Sequence, residues 1–198
     1  GGTGIYTLDI LKLIKLRNKT LCVDAYQTML DKVPRDAPIE PVCLDAFAFS
    51  EQTKYKFNKV LIKEAIHHVV EREKLFGNLY KRLPNGGRLL LVHVPPDVQY
   101  PIFQKALDRA LGWHADPAEL QEQMKSVGFR VEHDFVAYPH KIDKDRFFKQ
   151  VESQFMSVLT SFSDQEMKEG LKEMEGKHGH KSVLEFIDHF DYITGIKD

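Results

Sequence analysis

The feature that most constrains this chain is a repeated punctuation. Short apolar runs, closed by an acid or by proline, alternate with longer stretches of helical periodicity. Residues 5–16 place apolar side chains at Ile5, Leu8 and Leu11 and again at Ile10, Leu13 and Ile14, the spacing of a helix. Residues 20–23 are then a short strand with Asp24 just past its end. A polar helical piece follows and stops at Val33-Pro34, because the residue before proline disfavours helix. Residues 41–44, closed by Asp45, and 58–62 are the next strands. Residues 65–83 read as helix through Val69, Leu75, Leu79 and Leu83, and Pro84-Asn85-Gly86-Gly87 turns the chain into the most strand-like run, 88–94. Pro95-Pro96 ends it. Helices are expected at 102–111 and at 117–127, the second ended by Gly128. Strands are expected at 129–138 and 190–196, with two charged amphipathic helices, 144–159 and 163–177, between them and a loop at 176–181. Strands alternating with helices predict an α/β fold with a doubly wound, mostly parallel sheet covered by helices on both faces.

The 198 residues suit a single domain, 1–198, in which 139–188 forms a helical insertion. A net charge of −1, with Lys and Arg scattered, gives no electrostatic case for a nucleic-acid partner, whose binding rests on phosphate neutralisation. Cys22 and Cys43 lie inside apolar runs, and a domain of this size needs no disulfide, so a reducing, cytoplasmic setting is expected. No apolar stretch reaches the roughly 18–20 residues of a membrane span, and no signal peptide is evident.

Ligands of open parallel sheets bind beyond the carboxyl ends of the strands. Gly1-Gly2-Thr3-Gly4 opens a helix, where amides are free and glycine permits close approach. Asp24 follows about 20 residues later at a strand end, the spacing of an acid that accepts from ribose hydroxyls. A dinucleotide fingerprint asks for a further glycine where Thr7 stands, and no phosphate-loop lysine is present; the turn therefore suits a nucleoside without pyrophosphate. Asp24 and Asp45 also fit the plainer role of helix cap or turn acid. Adjacent His67 and His68 diverge by about 100° on a helix and make no metal pair. No metal site is expected, one of the two histidines is assigned to the core, and His68 is the candidate facing the pocket. His178 and His180 are read as solvated loop residues, Tyr138 and His140 as candidates to face substrate, and Phe147, Phe148, Phe155 and Met156 as core.

GGTG, VDAY (23–26), LDAFAF (44–49), FNKVLIKEAIHHV (57–69), LYKRLPNGGRLLLVHVP (79–95) and FDYITGIK (190–197) resemble the successive motifs of class I S-adenosylmethionine-dependent methyltransferases, most specifically over 57–95. The resemblance places the chain with small-molecule enzymes and implies a Rossmann-like sheet with an antiparallel C-terminal strand. It also implies S-adenosylmethionine as cofactor and S-adenosylhomocysteine as product. Gly1, Gly2 and Gly4 would then lie against the methionine part, Asp24 would hold the ribose, and Ala25 and Tyr26 would flank the adenine. Asp45 would accept from the adenine amino group, the Ala46 backbone would touch the ring, and Lys63 and Glu64 would meet the cofactor's amino group. The insertion would cover the acceptor pocket, with Tyr138 and His140 binding substrate and His68 as the catalytic candidate. Methyl transfer needs chiefly proximity and alignment, so a base is optional. The family places a first strand, with its closing acid, just before the glycine turn, and that strand is not within 1–198. A truncated sequence, a second chain filling the gap in a homo-oligomer, or closing up of the remaining strands would each account for this. The alternative reading is a catalytically silent binding or scaffold protein; a nicotinamide-dependent oxidoreductase is disfavoured by Thr7.

Overall fold

The computed structural model describes residues 1–52 and 54–198. After helix α1 (Ile5–Leu13), strands β1 (Thr20–Asp24) and β2 (Ile39–Cys43) pair in parallel, from Thr20↔Ile39 to Asp24↔Cys43, with the short helix α2 (Gln27–Leu30) between them. Helix α3 (Ala46–Gln52) leads to β3 (Lys59–Lys63), α4 (Arg72–Arg82) and β4 (Arg88–His93). Helices α5 (Gln104–Trp113) and α6 (Pro117–Ser126) precede β5 (Arg130–Asp143); α7 (Lys144–Glu152) and α8 (Asp164–His178) separate it from β6 (Val183–Ile196). The fold is thus mixed α/β, as the alternation requires.

The strands form two sheets rather than one. β1 and β2 make a parallel pair, and the other four are ordered β3-β4-β6-β5. β3 and β4 are parallel, while β6 runs antiparallel to both β4 and β5, so the antiparallel closing strand is present. β1 and β3 share no ladder, so the remaining strands do not close up.

Several boundaries differ from the sequence reading. The helix expected over 65–83 begins only at Arg72; before it, Ile66–His68 is a single 3₁₀ turn, ended by extended Val69. Glu64, with φ of 49°, turns the chain sharply after β3, and the β-branched pair Val69-Val70 resists continuing the turn as helix. The strands expected at 129–138 and 190–196 are both longer, fourteen residues each, paired without interruption from Arg130↔Ile196 to Asp143↔Val183. Pro139 lies within β5, which is an edge strand, the place in a sheet where proline is tolerated. The helical part of 139–188 is therefore 144–178, since 139–143 and 183–188 continue the strands. α7 ends at Glu152 and is followed by a 3₁₀ turn, Ser157–Ser161, whereas α8 runs to His178, placing that histidine in the helix rather than in a loop.

Alternation along the strands creates two separate cores on the four-stranded sheet. Leu89 and Leu91 of β4 and Ile193 of β6 pack with Leu75, Phe76 and Leu79 of α4 and Leu120 and Met124 of α6. Leu184 of β6 joins Phe103 and Ala106 of the α5 segment, Phe147 and Val151 of α7, and Met167 and Met174 of α8. Phe147 is core as expected, but Phe155 is 51% exposed, because the helix carrying Phe147 has ended before it. A third, smaller cluster of Cys22, Leu30, Val33, Ala37 and Ile39 holds β1, β2 and α2, with Leu8 and Leu11 of α1 packed against it.

Gly170 shows how tight the second core is: a Cβ built there would collide with the buried Phe103 ring. Gly170→Ala is expected to destabilise the fold by about 1–3 kcal/mol, the usual cost of overpacking, despite alanine's better helix propensity. Denaturant melts of the two proteins measure this, and equal midpoints would show that α8 shifts without penalty.

Candidate functional site

The glycine turn before α1 and the carboxyl ends of β1, β2 and β3 carry the residues that the sequence pointed to for the cofactor. Gly2 and Gly4 have φ of 57° and 74°, and Gly4 N donates to Gly1 O across the turn, so the turn needs the left-handed freedom of glycine. The Asp24 carboxylate fixes the turn to the end of β1. Its Oδ2 accepts from Gly2 N at 2.7 Å and its Oδ1 from Tyr26 N at 2.9 Å. Burial works in the opposite sense, but the Tyr26 and Gly2 amides hold the carboxyl below its ordinary pKa. A Cβ added to Gly2 would meet nothing within 4 Å, so space lies open beside the turn. Ala25 and Tyr26 follow Asp24 directly, Tyr26 with 71% of its surface exposed.

Asp45 follows β2, and its Oδ1 accepts from Ala48 N at 2.9 Å. It caps α3, which is the plainer of its two expected roles, and Ala46 begins that helix. Lys63 ends β3, with its ammonium 4.1 Å from the centroid of Tyr6 in α1 and 5.4 Å from that of Phe190 in β6. This contact joins the α1–β1–β2 part of the molecule to the four-stranded sheet. Glu64 next to it bridges two strand ends: its N–H donates to Val92 O, and its Oε1 accepts from Val94 N at 2.8 Å. Burial raises the Glu64 pKa, and the charge of Asp188 adds to the rise against the opposing Val94 amide and Lys63.

Asp188 introduces residues that the sequence reading did not single out. His140 Nε2 lies 2.6 Å from its Oδ2, while Oδ1 is buried and has no hydrogen-bond partner in good geometry among the described residues. Tyr100 lies on the same carboxylate; burial, then Asp188 and Glu64, push its phenol far above the ordinary range. The His140 ring stacks on Phe186 at 5.0 Å and 13° and meets Tyr138 edge-on at 5.0 Å. Tyr138 and His140, the expected substrate residues, are thus brought together, and Asp188 connects them electrostatically to Glu64.

His68 lies elsewhere. It is exposed, its ring 4.1 Å from that of His67 and 6.2 Å from that of Trp113. His67 is the more buried of the pair; neither of its ring nitrogens, nor His93 Nε2 or His114 Nδ1, has a partner among the described residues. Burial, assisted by neighbouring histidines and Arg72, lowers His67 to about 4, and burial with His93 lowers His114 to about 4. On the same face of the sheet His133 Nε2 and Asp191 Oδ1 are hydrogen-bonded at 2.6 Å. Among the described residues, no group of three His, Cys, Asp or Glu is arranged to hold a metal ion. The cross-strand partners Asp188 and Asp191 were missed because only the strand register reveals them; the period-two pattern of 183–196, had it been followed upstream of Phe190, was the available signal.

A family profile described as a methyltransferase domain matches residues 1–91, from the glycine turn to the middle of β4. Over these residues, a little under half of its length, the chain is similar to methyltransferase domains. Solved methyltransferases share its fold. A putative methyltransferase from an antibiotic biosynthesis pathway of Anabaena variabilis superposes with a TM-score of 0.72 at 17% identity, covering 96% of this chain and 86% of that one. A methyltransferase from Archaeoglobus fulgidus, described as SAM-dependent, gives 0.58 at 15% identity over 98% and 82%. The Haemonchus contortus phosphoethanolamine N-methyltransferase 2, solved with phosphomonomethylethanolamine and S-adenosylhomocysteine, gives 0.60 at 17% identity over 99% of this chain. The chain spans only 47% of the Haemonchus enzyme's length. No curated protein matches the sequence significantly.

Proposed function

We propose that this chain transfers a methyl group from S-adenosylmethionine to a small-molecule acceptor. The observation that carries the reading is the Asp24 carboxylate, which secures the glycine turn to the end of β1 and leaves open space beside Gly2. A sulfonium-bearing amino acid and an adenosine fit this surroundings: a carboxylate for the ribose, an exposed tyrosine and Ala25 for the adenine, and backbone groups at Lys63 and Glu64 for the amino group. Asp45 retains an oxygen for the adenine amino group while capping α3, with the Ala46 backbone alongside. In this reading the two sheets are parts of one doubly wound sheet, and the helices of 144–178 border the acceptor side. His68 remains the candidate base from the sequence, although its contacts are with His67 and Trp113.

Bound S-adenosylmethionine supplies an activated methyl on a good leaving group; the protein's task is to hold the acceptor in line with it and keep water away. The near-neutral charge and the two free thiols, Cys22 and Cys43, support a small-molecule acceptor and a reducing, cytoplasmic setting. No helix among the described residues is long and apolar enough to cross a membrane. Calorimetric titration of the chain with S-adenosylmethionine and, separately, with NAD tests the reading. Binding of the first alone is the expected result; binding of NAD alone, or of neither by the folded chain, would overturn it.

A further inference from the structure

We propose that the cluster of Glu64, Tyr100, Tyr138, His140, Phe186 and Asp188 is the acceptor subsite and that it takes a cationic small-molecule amine. The inference rests on the methyl-transfer reading above and names the acceptor class for that site.

Charge is the first argument. Glu64 and Asp188 are both substantially buried, and neither forms a salt bridge with a lysine or arginine within 4 Å among the described residues. The nearest positive group, Lys63, is directed to the Tyr6 and Phe190 rings. One Asp188 oxygen, Oδ2, lies 2.6 Å from His140 Nε2. The Tyr100 hydroxyl also lies on this carboxylate, yet Oδ1 is withdrawn from water and accepts no well-formed hydrogen bond among the described residues. A buried, unsatisfied carboxylate oxygen is costly, and an ammonium N–H relieves it better than a neutral donor does.

Shape is the second argument. Phe186 and His140 stack with their planes nearly parallel, and Tyr138 and Tyr100 meet that stack edge-on, at 5.0 Å to His140 and 5.6 Å to Phe186. Aromatic faces beside carboxylates form the environment in which alkylammonium groups are recognised, because the ring quadrupole attracts the spread positive charge on the N-methyl surface. Two strands and two connecting segments contribute: Glu64 follows β3, Tyr100 lies in the loop after β4, Tyr138 and His140 are in β5, and Phe186 and Asp188 are in β6. The site therefore exists only in the assembled sheet. Glu64 belongs both to this cluster and to the strand end expected to meet the cofactor, which puts the amine beside the methyl donor.

The test is calorimetry at pH 7 on the full chain saturated with S-adenosylhomocysteine, using trimethylammonium, which carries one N–H, as the probe and tert-butyl alcohol as its neutral counterpart of similar shape. The ammonium is expected to bind at least about tenfold more tightly than the alcohol. Asp188→Asn is expected to weaken ammonium binding about tenfold with S-adenosylhomocysteine affinity unchanged, and Phe186→Leu, which keeps the carboxylate and removes the ring, about threefold. Equal affinity for the two probes, or ammonium binding indifferent to both substitutions, would overturn the proposal. S-adenosylhomocysteine binding without ammonium binding would sink the amine subsite and leave the methyl-transfer reading standing. Ammonium binding sensitive to Asp188→Asn in a chain that does not bind S-adenosylhomocysteine would uphold the subsite and remove that reading.

Discussion

Acidification from pH 7 to about 4.5 is expected to destabilise this protein by several kcal/mol, well before most of its carboxylates titrate. The cause is the imidazole group around His67. Burial, with same-sign charges on His68, His114, His93 and Arg72, lowers His67 to about 4; burial and His93 do the same for His114. His93 is lowered as well, by burial first, against the opposing Val94 carbonyl and Asp191. In the unfolded chain these histidines titrate near 6.5. Above that pH both states are neutral and nothing is lost. Below it the unfolded chain takes up protons that the folded chain refuses until about pH 4, so stability falls with pH across this window. After discounting for partial solvent access, each of His67 and His114 contributes about 2 kcal/mol of loss by the acid end, a large share of the 5–15 kcal/mol typical of a domain. His67→Phe replaces an unpartnered imidazole with an apolar ring of similar shape. It is expected to be nearly neutral at pH 7.5 and to gain about 2 kcal/mol over the native chain at pH 4.5. Thermal melts at both pH values measure it, and parallel pH profiles for the two proteins would show that His67 is not the group responsible.

The second large effect is expected at the glycine turn. Asp24→Ala removes the acceptor of both the Gly2 and the Tyr26 amides and the acid proposed to hold the ribose. Hydrogen bonds to a charged group contribute about 1.5–3 kcal/mol, so S-adenosylmethionine binding should weaken about 10–100-fold. Asp24→Asn keeps a carbonyl oxygen but loses the charge and one acceptor, and an intermediate loss is expected. Calorimetric affinities of the three proteins decide the matter. Unchanged affinity in Asp24→Ala would leave Asp24 as a structural tether of the turn and remove it from the cofactor site.

What could be read from the sequence follows the range of the interactions involved. The strand ends at Asp24, Asp45 and Lys63, the glycine turn and the break at Pro95 depend on residues close in sequence, and the structure has each near its expected place. Asp45 illustrates the limit: its position was legible, but its cap on Ala48 shows only in the coordinates. The helix over 65–83 was overextended because apolar periodicity cannot sense the left-handed turn at Glu64. The strand expected at 129–138 falls short of Asp143 because edge position, which admits Pro139, is a property of the sheet rather than of the segment. The pairings His133–Asp191, 58 positions apart, and His140–Asp188 are cross-strand diagonals, and no local pattern specifies which residues a register will place diagonally.

That register has a consequence of its own. Asp188 and Asp191 are three positions apart in β6, so alternation directs them to opposite faces of the sheet. One carboxylate serves the aromatic cluster with His140, the other the imidazole side with His133. β6 is in effect a single reading frame for two unrelated chemistries. A slip of one residue against β5 would exchange them, sending each acid into the other's surroundings and Leu184 and Ile193 out of their cores. The fourteen-residue ladder, longer than the rest of the sheet requires, makes such a frameshift costly along its whole length.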